Sequence, residues 1–173
     1  MNFFKRKIRG LWNIIWLCRH YFGHFLVGLT YAWILREVWA QLSVKYIFWS
    51  LVGSTWIDLD HFLYAVSYGR HDWYGRQFRQ FLKQGQIRQW IAFVSNKHKH
   101  LTGLMTHNIY FIVFFILFSV ASFYFDWKLG VVLFGAKVLH LVFDLVEDLI
   151  VLGYLNENWK HWRKKSTTKP ITS

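Results

Sequence analysis

Long apolar runs dominate the chain, and a helix that crosses a bilayer needs about 20 mostly apolar residues. Four segments are long enough, and they are residues 21–39, 46–66, 101–125 and 129–154. The third contains the almost uninterrupted run IYFIVFFILFSVASFYF. The pattern therefore predicts an all-α fold, a four-span transmembrane helical bundle.

Two further segments repeat apolar residues at helical spacing but are more polar, which predicts amphipathic helices that lie at the membrane surface. They are IRGLWNIIWLCRHY, residues 8–21, and RQFRQFLKQGQIRQWIAFV, residues 76–94. The tail, residues 164–173, is polar, and we expect it to be disordered. Nothing else divides the chain, so residues 1–173 are predicted to form a single membrane-embedded domain.

The composition supports a membrane protein. The chain is 54% hydrophobic and 21% aromatic, with eleven Trp, as expected where aromatic belts lie at the membrane interfaces. A single cysteine, Cys18, excludes an intramolecular disulfide and a zinc module built from several cysteines. The net charge of +12 is clustered between apolar segments, which favours membrane lipids with anionic headgroups as partners rather than nucleic acid.

The distribution of Lys and Arg predicts the orientation in the membrane. Most of them lie in residues 1–20, in the region 67–100 and in the C-terminal tail. The two remaining loops have only Arg36, Lys45 and Lys128 near them. By the positive-inside rule, both termini and the 67–100 region are expected on the cytoplasmic side.

The predicted spans carry unusual polar residues. Apart from Glu37 at the end of the first span, they hold five of the nine acidic residues and four histidines: Asp58, Asp60, Asp144, Glu147, Asp148, His24, His61, His107 and His140. Charges in hydrocarbon are costly, so such residues normally face a polar interior. Because alternate spans run in opposite directions, all of them fall near the cytoplasmic end. This common depth predicts one shared site.

Helix geometry and ligand chemistry indicate a metal site. At about 100° per residue, His140, Asp144 and Glu147 share a narrow arc, and Asp58 and His61 share one side. Asp60 points away, so either it orients a ligand or the helix is distorted there. Histidine with carboxylate and no cysteine suits Zn, Mn or Fe. One or two divalent ions would neutralise the carboxylates and supply a nucleophilic water.

Four short motifs carry a resemblance to a known family. FGH at 22–24, IDLDH at 57–61, MTH at 105–107 and HLVFD at 140–144 occur in the order of the G-H, D-x-D-H, H-R-G-x-T-H and H-x-x-x-D motifs. This order resembles the YdjM-like family of LexA-regulated inner-membrane proteins, described as metal-dependent hydrolases. The resemblance implies an inner-membrane location. It also implies a site formed by His24, Asp58, Asp60, His61, His107, His140 and Asp144.

The family is itself distantly similar to the all-helical zinc-dependent phospholipase C and P1 nuclease group, which hydrolyses phosphoesters. The chain departs from the family pattern at two positions. Ile57 stands where the family usually has Pro, and Thr102 stands where the third motif has its first histidine. His100 or His98 could replace that histidine after a small shift, or one ligand is missing.

The leading hypothesis is an integral membrane metal-dependent hydrolase that acts on a phosphoester or acyl bond of a lipid or lipid-linked substrate at the cytoplasmic face. The predicted ligands of Zn, or of Mn, are His24, Asp58, His61, His107, His140 and Asp144. Asp60 or Glu147 would orient a ligand or act as general base. The run KHKH at 97–100 is interpreted as a solvated segment that binds headgroups.

Two other functions stay open. A metal or proton transporter also places His and Asp within its spans. A non-catalytic membrane adaptor would use a structural metal or an ion-pair cluster only to hold its helices together.

Overall fold

A computed structural model describes the backbone of residues 3–41 and 43–160 and the side chains of residues 19–41 and 43–160. Every regular element in this part of the chain is helical, so the predicted all-α fold is confirmed. The α-helices are α1 (Phe3–Trp39), α2 (Val44–Thr55), α3 (Leu59–Val66), α4 (Trp73–Lys83), α5 (Ile87–Lys97), α6 (Ile109–Tyr124) and α7 (Lys128–Leu152). Single 3-10 turns cover Trp56–Asp58, His98–His100 and Glu157–Trp159.

Helix α7 occupies the centre of the bundle and packs against α1, α2 and α6. Small residues allow the backbones to approach, as is common between membrane helices. A Cβ atom at Gly53 of α2 would lie only 2.6 Å from the Leu133 carbonyl oxygen of α7. Hydroxyl groups also join the helices: Ser50 donates to the Gly28 carbonyl at 2.7 Å, and Tyr31 donates to that of Val131 at 3.1 Å.

The predicted second span, residues 46–66, is two helices rather than one. The 3-10 turn Trp56–Asp58 separates α2 from α3. Side chains disturb the hydrogen bonding in the last turn of α2. The hydroxyls of Ser54 and Thr55 both donate to the Leu51 carbonyl. The Ser54 carbonyl accepts a hydrogen bond from His140. Such bonding competes with the helical ladder and bends helices. The break sets Asp58 at the junction of the two helices.

The third predicted span, residues 101–125, is wrong over its first eight residues, because α6 begins only at Ile109. Residues 101–108 are non-helical, and other groups satisfy their backbone: the Thr106 N–H donates to Asp60, and Asn156 donates to the Leu101 carbonyl. The Asn108 side chain then caps α6 by accepting from the Phe111 N–H at 3.2 Å. His107 therefore lies in this segment and not on a helix.

The two predicted surface helices also differ from expectation. Residues 76–94 form parts of α4 and α5, separated by a turn at Gly85, whose φ of 65° favours glycine. Residues 8–21 are not a separate helix, because α1 runs without a break from Phe3 to Trp39. The side chains of residues 8–18 and the tail, residues 164–173, lie outside the described residues.

Within the described residues, one helix is long and apolar enough to cross a membrane. This helix is α7, which has 25 residues and a mean hydropathy of 2.0. Helix α6 is apolar but has only 16 residues. A single helix of this kind is weak evidence, because the core helix of a soluble protein passes the same test. The four-span arrangement is therefore not established by helix length and stays a proposal.

Candidate metal centre

The six predicted metal ligands come together in the interior of the bundle. We call them the central cluster: His24 of α1, Asp58 of the α2–α3 junction, His61 of α3, His107 of the 101–108 segment, and His140 and Asp144 of α7. None of these side chains is more than 11% exposed, and those of His24 and His140 are fully buried. Residues distant in sequence thus form one buried polar site.

The central cluster consists of two groups of possible ligands. In the first, His24, Asp58, His140 and Asp144 each present one ligand atom, and these atoms lie within 4.8 Å of one another. The second group, Asp58, His61 and His107, meets the same criterion. Asp58 belongs to both groups, so its carboxylate lies between two possible cation positions.

The separations within the cluster match those of atoms that share a metal ion. His140 Nε2 lies 3.1 Å from Asp144 Oδ2, and His107 Nε2 lies 3.4 Å from the same oxygen. Asp58 Oδ1 lies 3.6 Å from His140 Nε2 and 3.7 Å from His61 Nδ1. Two ligand atoms about 2.0–2.2 Å from one tetrahedral zinc ion are about 3.3–3.6 Å apart. Contacts of 3.6–3.7 Å are too long for hydrogen bonds.

Buried ligand atoms of the cluster have no hydrogen-bond partner. They include both oxygens of Asp58, Oδ2 of Asp144, and Nε2 of His107 and of His140. A buried polar atom without a partner is costly, and a buried charge more so. Cations bound among these atoms would satisfy them, so the donor set fits a metal centre.

The hydrogen bond of His140 supports this interpretation. His140 Nδ1 donates to the Ser54 carbonyl at 2.6 Å. In the neutral ring, Nε2 then carries a lone pair, and it faces oxygens of Asp58 and Asp144. Acceptor atoms that face one another repel unless a proton or a cation lies between them. A hydrogen bond from one ring nitrogen to a carbonyl is also the usual support of a metal-binding histidine.

Asp60, predicted as a catalytic residue or as one that orients a ligand, is held by several donors. It accepts from the Tyr68 hydroxyl, from the Thr106 N–H at 2.7 Å and from the Thr106 hydroxyl at 2.9 Å. Its Oδ2 lies 3.8 Å from His107 Nδ1, on the side of the ring opposite the cluster. That distance is too long for a hydrogen bond, so Asp60 positions His107 through Thr106, whose hydroxyl lies 3.2 Å from His107 Nδ1. With its oxygens held in this way, Asp60 is not a base with a free oxygen.

Glu147, the second predicted catalytic residue, lies at the edge of the cluster with 18% of its side chain exposed. Its Oε2 is 2.8 Å from His20 Nδ1 and 2.8 Å from Lys99 Nζ. Lys99 Nζ also lies 3.0 Å from Asp144 and 3.2 Å from Asp148. Burial lowers the pKa of Lys99, but the three carboxylates outweigh it and hold that pKa above the ordinary value.

The interpretation of KHKH as a solvated run is wrong for two of its residues. His98 is buried, and Lys99 is 10% exposed. The 3-10 turn His98–His100 directs them inward and leaves His100 exposed. The third motif has Thr102 in place of its first histidine, and His98 and His100 were the two possible replacements. The structure places His98 beside the cluster, in ring contact with His61, and leaves His100 exposed.

Sequence reasoning missed His20 and the buried position of Lys99, and it offered His98 only as one of two replacements for the absent motif histidine. His20 precedes His24 by one helical turn on α1, and this spacing puts both on one face, so it could have been found. Its Nε2 lies 3.2 Å from His24 Nε2 and 3.8 Å from Asp58. Burial alone would lower the pKa of His20, but the nearby carboxylates of Asp58 and Glu147 raise it to about 9.

A small, partly open cavity of about 20 Å³ adjoins the cluster. Its polar lining includes His61, His107, Asp144 and Lys99, and its apolar lining includes Leu101, Leu104 and Trp159. The cavity is thus lined by the ammonium group of Lys99, by possible metal ligands and by an apolar wall. An anionic group and an apolar group of one molecule could each contact this lining at the open side of the cavity.

Comparison with family models, with curated proteins and with solved structures finds no match to this chain. The resemblance to the YdjM-like family therefore stays a prediction. What the structure establishes is an all-α protein with buried His and Asp groups that could hold a metal ion.

Proposed function

We propose that this chain is an integral membrane metal-dependent hydrolase, which acts on a phosphoester or acyl bond of a lipid or lipid-linked molecule at the cytoplasmic face of the inner membrane. The observation that carries the proposal is the central cluster itself. Its unpaired buried oxygens and nitrogens stand at the separations of metal ligands, beside a cavity.

The surface of the bundle supports a membrane location. Large apolar side chains are exposed along α6 and α7, for example Leu117 at 62%, Phe123 at 67% and Ile150 at 77%. Monomeric soluble proteins rarely expose contiguous apolar surface of this extent. The non-helical segment 101–108 fits the same setting, because irregular backbone at membrane depth occurs where it lines a polar interior.

Each residue of the site has a role in this proposal. His24, Asp58, His140 and Asp144 hold one divalent cation, Asp58, His61 and His107 hold a second, and Zn or Mn suits these nitrogen and oxygen donors. A bound cation of this kind acidifies a water molecule and polarises the bond to be cleaved. Asp60 positions His107, and Glu147 is the partly exposed carboxylate available to accept a proton.

The cavity indicates the kind of substrate. The Lys99 ammonium group would pair with the charge of an anionic headgroup. Leu101, Leu104 and Trp159 would contact the apolar part of the same molecule. A lipid or a lipid-linked molecule has both features, whereas a small polar metabolite would leave the apolar wall uncovered.

The experiment is a hydrolysis screen with lipids, phosphoesters and acyl esters, on protein purified into lipid nanodiscs. We expect activity that a chelator removes and that Zn or Mn restores. Asp58→Asn should abolish it, and His71→Ala, at an exposed histidine outside the cluster, should not. A folded wild type that holds no metal and gains no stability from any divalent ion would contradict the proposal.

One observation favours a second candidate, the non-catalytic adaptor. Lys99 contacts three carboxylates at 2.8–3.2 Å, so an ion-pair network already joins α7 to the turn that follows α5. An adaptor of this kind would keep its fold without metal and show no hydrolysis. The transporter stays a third possibility, and uptake of zinc into proteoliposomes would identify it.

A further inference from the structure

His20, His98 and Glu147 lie together beside the central cluster, although they come from α1, from the turn after α5 and from α7. One ligand atom of each lies within 4.8 Å of the others. His20 Nδ1 is hydrogen-bonded to Glu147 Oε2 at 2.8 Å, closer than two ligands of one zinc ion, so a bound cation would replace the proton of this bond and widen it. The rings of His20 and His98 have centroids 4.5 Å apart. We propose that these three residues bind a further divalent cation, at a position separate from the two in the central cluster.

His98 gives independent support for a ligand at this position. Its Nδ1 donates to the Val94 carbonyl at 3.0 Å, so in the neutral ring the lone pair is on Nε2. The side chain is buried, and Nε2 has no hydrogen-bond partner. A buried neutral imidazole with one supported nitrogen and one vacant nitrogen is the form that binds metal.

The donor set determines the class of cation. Two imidazole nitrogens and one carboxylate oxygen suit zinc, and three protein ligands leave a coordination position for water or substrate. His98 lines the cavity beside the cluster, whereas His100, in the same turn, is exposed. The open position therefore adjoins the place where the proposed substrate would bind.

This inference rests on the cation binding proposed for the central cluster and changes the role of one residue. Glu147 becomes a ligand of the further cation, so it is not free to accept a proton. Lys99 Nζ lies 2.8 Å from the same carboxylate, and its charge opposes a cation there. The lysine and the cation therefore compete for Glu147.

The test counts zinc ions per chain by mass spectrometry on purified protein that has been loaded with zinc and desalted. His98→Ala should hold one zinc ion fewer than the wild type. His100→Ala, its matched control from the same turn, should hold the same number as the wild type. Equal numbers in both variants would overturn the proposal.

A second variant decides the matter if His98→Ala does not fold. Glu147→Gln keeps the shape of the side chain, and it should also hold one zinc ion fewer. Asp58→Asn separates this site from the proposed function. Loss with Asp58→Asn but with neither His98→Ala nor Glu147→Gln leaves the central cluster and removes the further site. Loss of zinc with His98→Ala and Glu147→Gln but not with Asp58→Asn would support the further site and contradict cation binding by the central cluster. A wild type that holds no zinc would contradict both sites.

Discussion

His140 Nε2 lies 3.1 Å from Asp144 Oδ2, and the two residues are one turn apart on α7. Their positions four residues apart let both side chains project from the same face of the helix into the bundle. The hydrogen bond from His140 Nδ1 to the Ser54 carbonyl fixes the ring, so Nε2 cannot turn away. Two ligands of the proposed metal centre are therefore held in place by α7 and its contact with α2.

Asp58→Asn should remove both cations of the central cluster, because this carboxylate belongs to both groups of ligands. His24→Ala should remove one, since His24 belongs only to the first group. Zinc content per chain, measured by mass spectrometry, distinguishes the two variants. His71→Ala, at an exposed histidine, should match the wild type. A full zinc content in Asp58→Asn would show that this carboxylate holds no cation.

Asp60→Asn should weaken zinc binding by about 10–100-fold without removing the site, because such losses follow when the hydrogen bonding that supports a metal-bound histidine is changed, and Asp60 holds Thr106 beside His107. Competition with a chelator of known affinity measures the change. Asp72→Asn is the matched control, since Asp72 also accepts a tyrosine hydroxyl, that of Tyr64, but is not among the cluster residues. If both variants bind zinc equally well, Asp60 does not position His107.

Lys99→Met should destabilise the metal-free protein by about 3–5 kcal/mol, as removal of one partner from a buried ion pair does. With zinc bound the loss should be smaller, because the cations take over neutralisation of the carboxylates. Denaturation with and without zinc measures both values. Lys160→Met, which breaks an exposed pair with Glu157, should change stability by only about 0–1 kcal/mol. An equal loss of stability with and without zinc would show that the charge of Lys99 is not coupled to metal binding.

Zinc at about 100 times its dissociation constant should stabilise the wild type by about 2.7 kcal/mol per bound ion, because it binds the folded state. Thermal melting of metal-free protein, with zinc added stepwise, measures this effect. Asp58→Asn should show a much smaller rise, since it lacks the shared ligand. A wild-type melting temperature that no divalent ion changes would argue against a metal centre.

The proposed orientation in a membrane can be tested with single cysteines in a Cys18→Ser background. Gln84→Cys, in the exposed turn between α4 and α5, should react with an impermeant reagent only from the cytoplasmic side. Glu37→Cys, exposed near the end of α1, should react only from the opposite side. The positive-inside rule gives both expectations. Labelling of Gln84→Cys from outside would reverse the topology and place the site on the other face.

The ligands of the central cluster could be found in the sequence because each lies within or beside a long apolar run, where a polar residue is conspicuous. Their depth along alternating helices predicted that they would meet. His140 and Asp144 needed only helical spacing. These features depend on the local pattern of apolar and polar residues, which can be read without a structure.

The residues that were missed depend on the path of the chain between helices. His98 and Lys99 read as a solvated basic run, because nothing in KHKH shows that a 3-10 turn points two of its residues inward. The start of α6 was also misplaced, because Asn156 and Asp60, far away in sequence, satisfy the backbone of residues 101–108. Long-range hydrogen bonds of this kind leave no periodic signal.

The hydrogen bond between His20 of α1 and Glu147 of α7 joins residues 127 positions apart, so it can form only after both helices have been synthesised. A chain that has been synthesised only as far as α6 contains His24, Asp58, His61 and His107 but neither His140 nor Asp144. Each proposed cation position needs α7 for a ligand or for the packing that fixes it. Uptake of the proposed metal ions would thus follow the packing of α7 into the bundle.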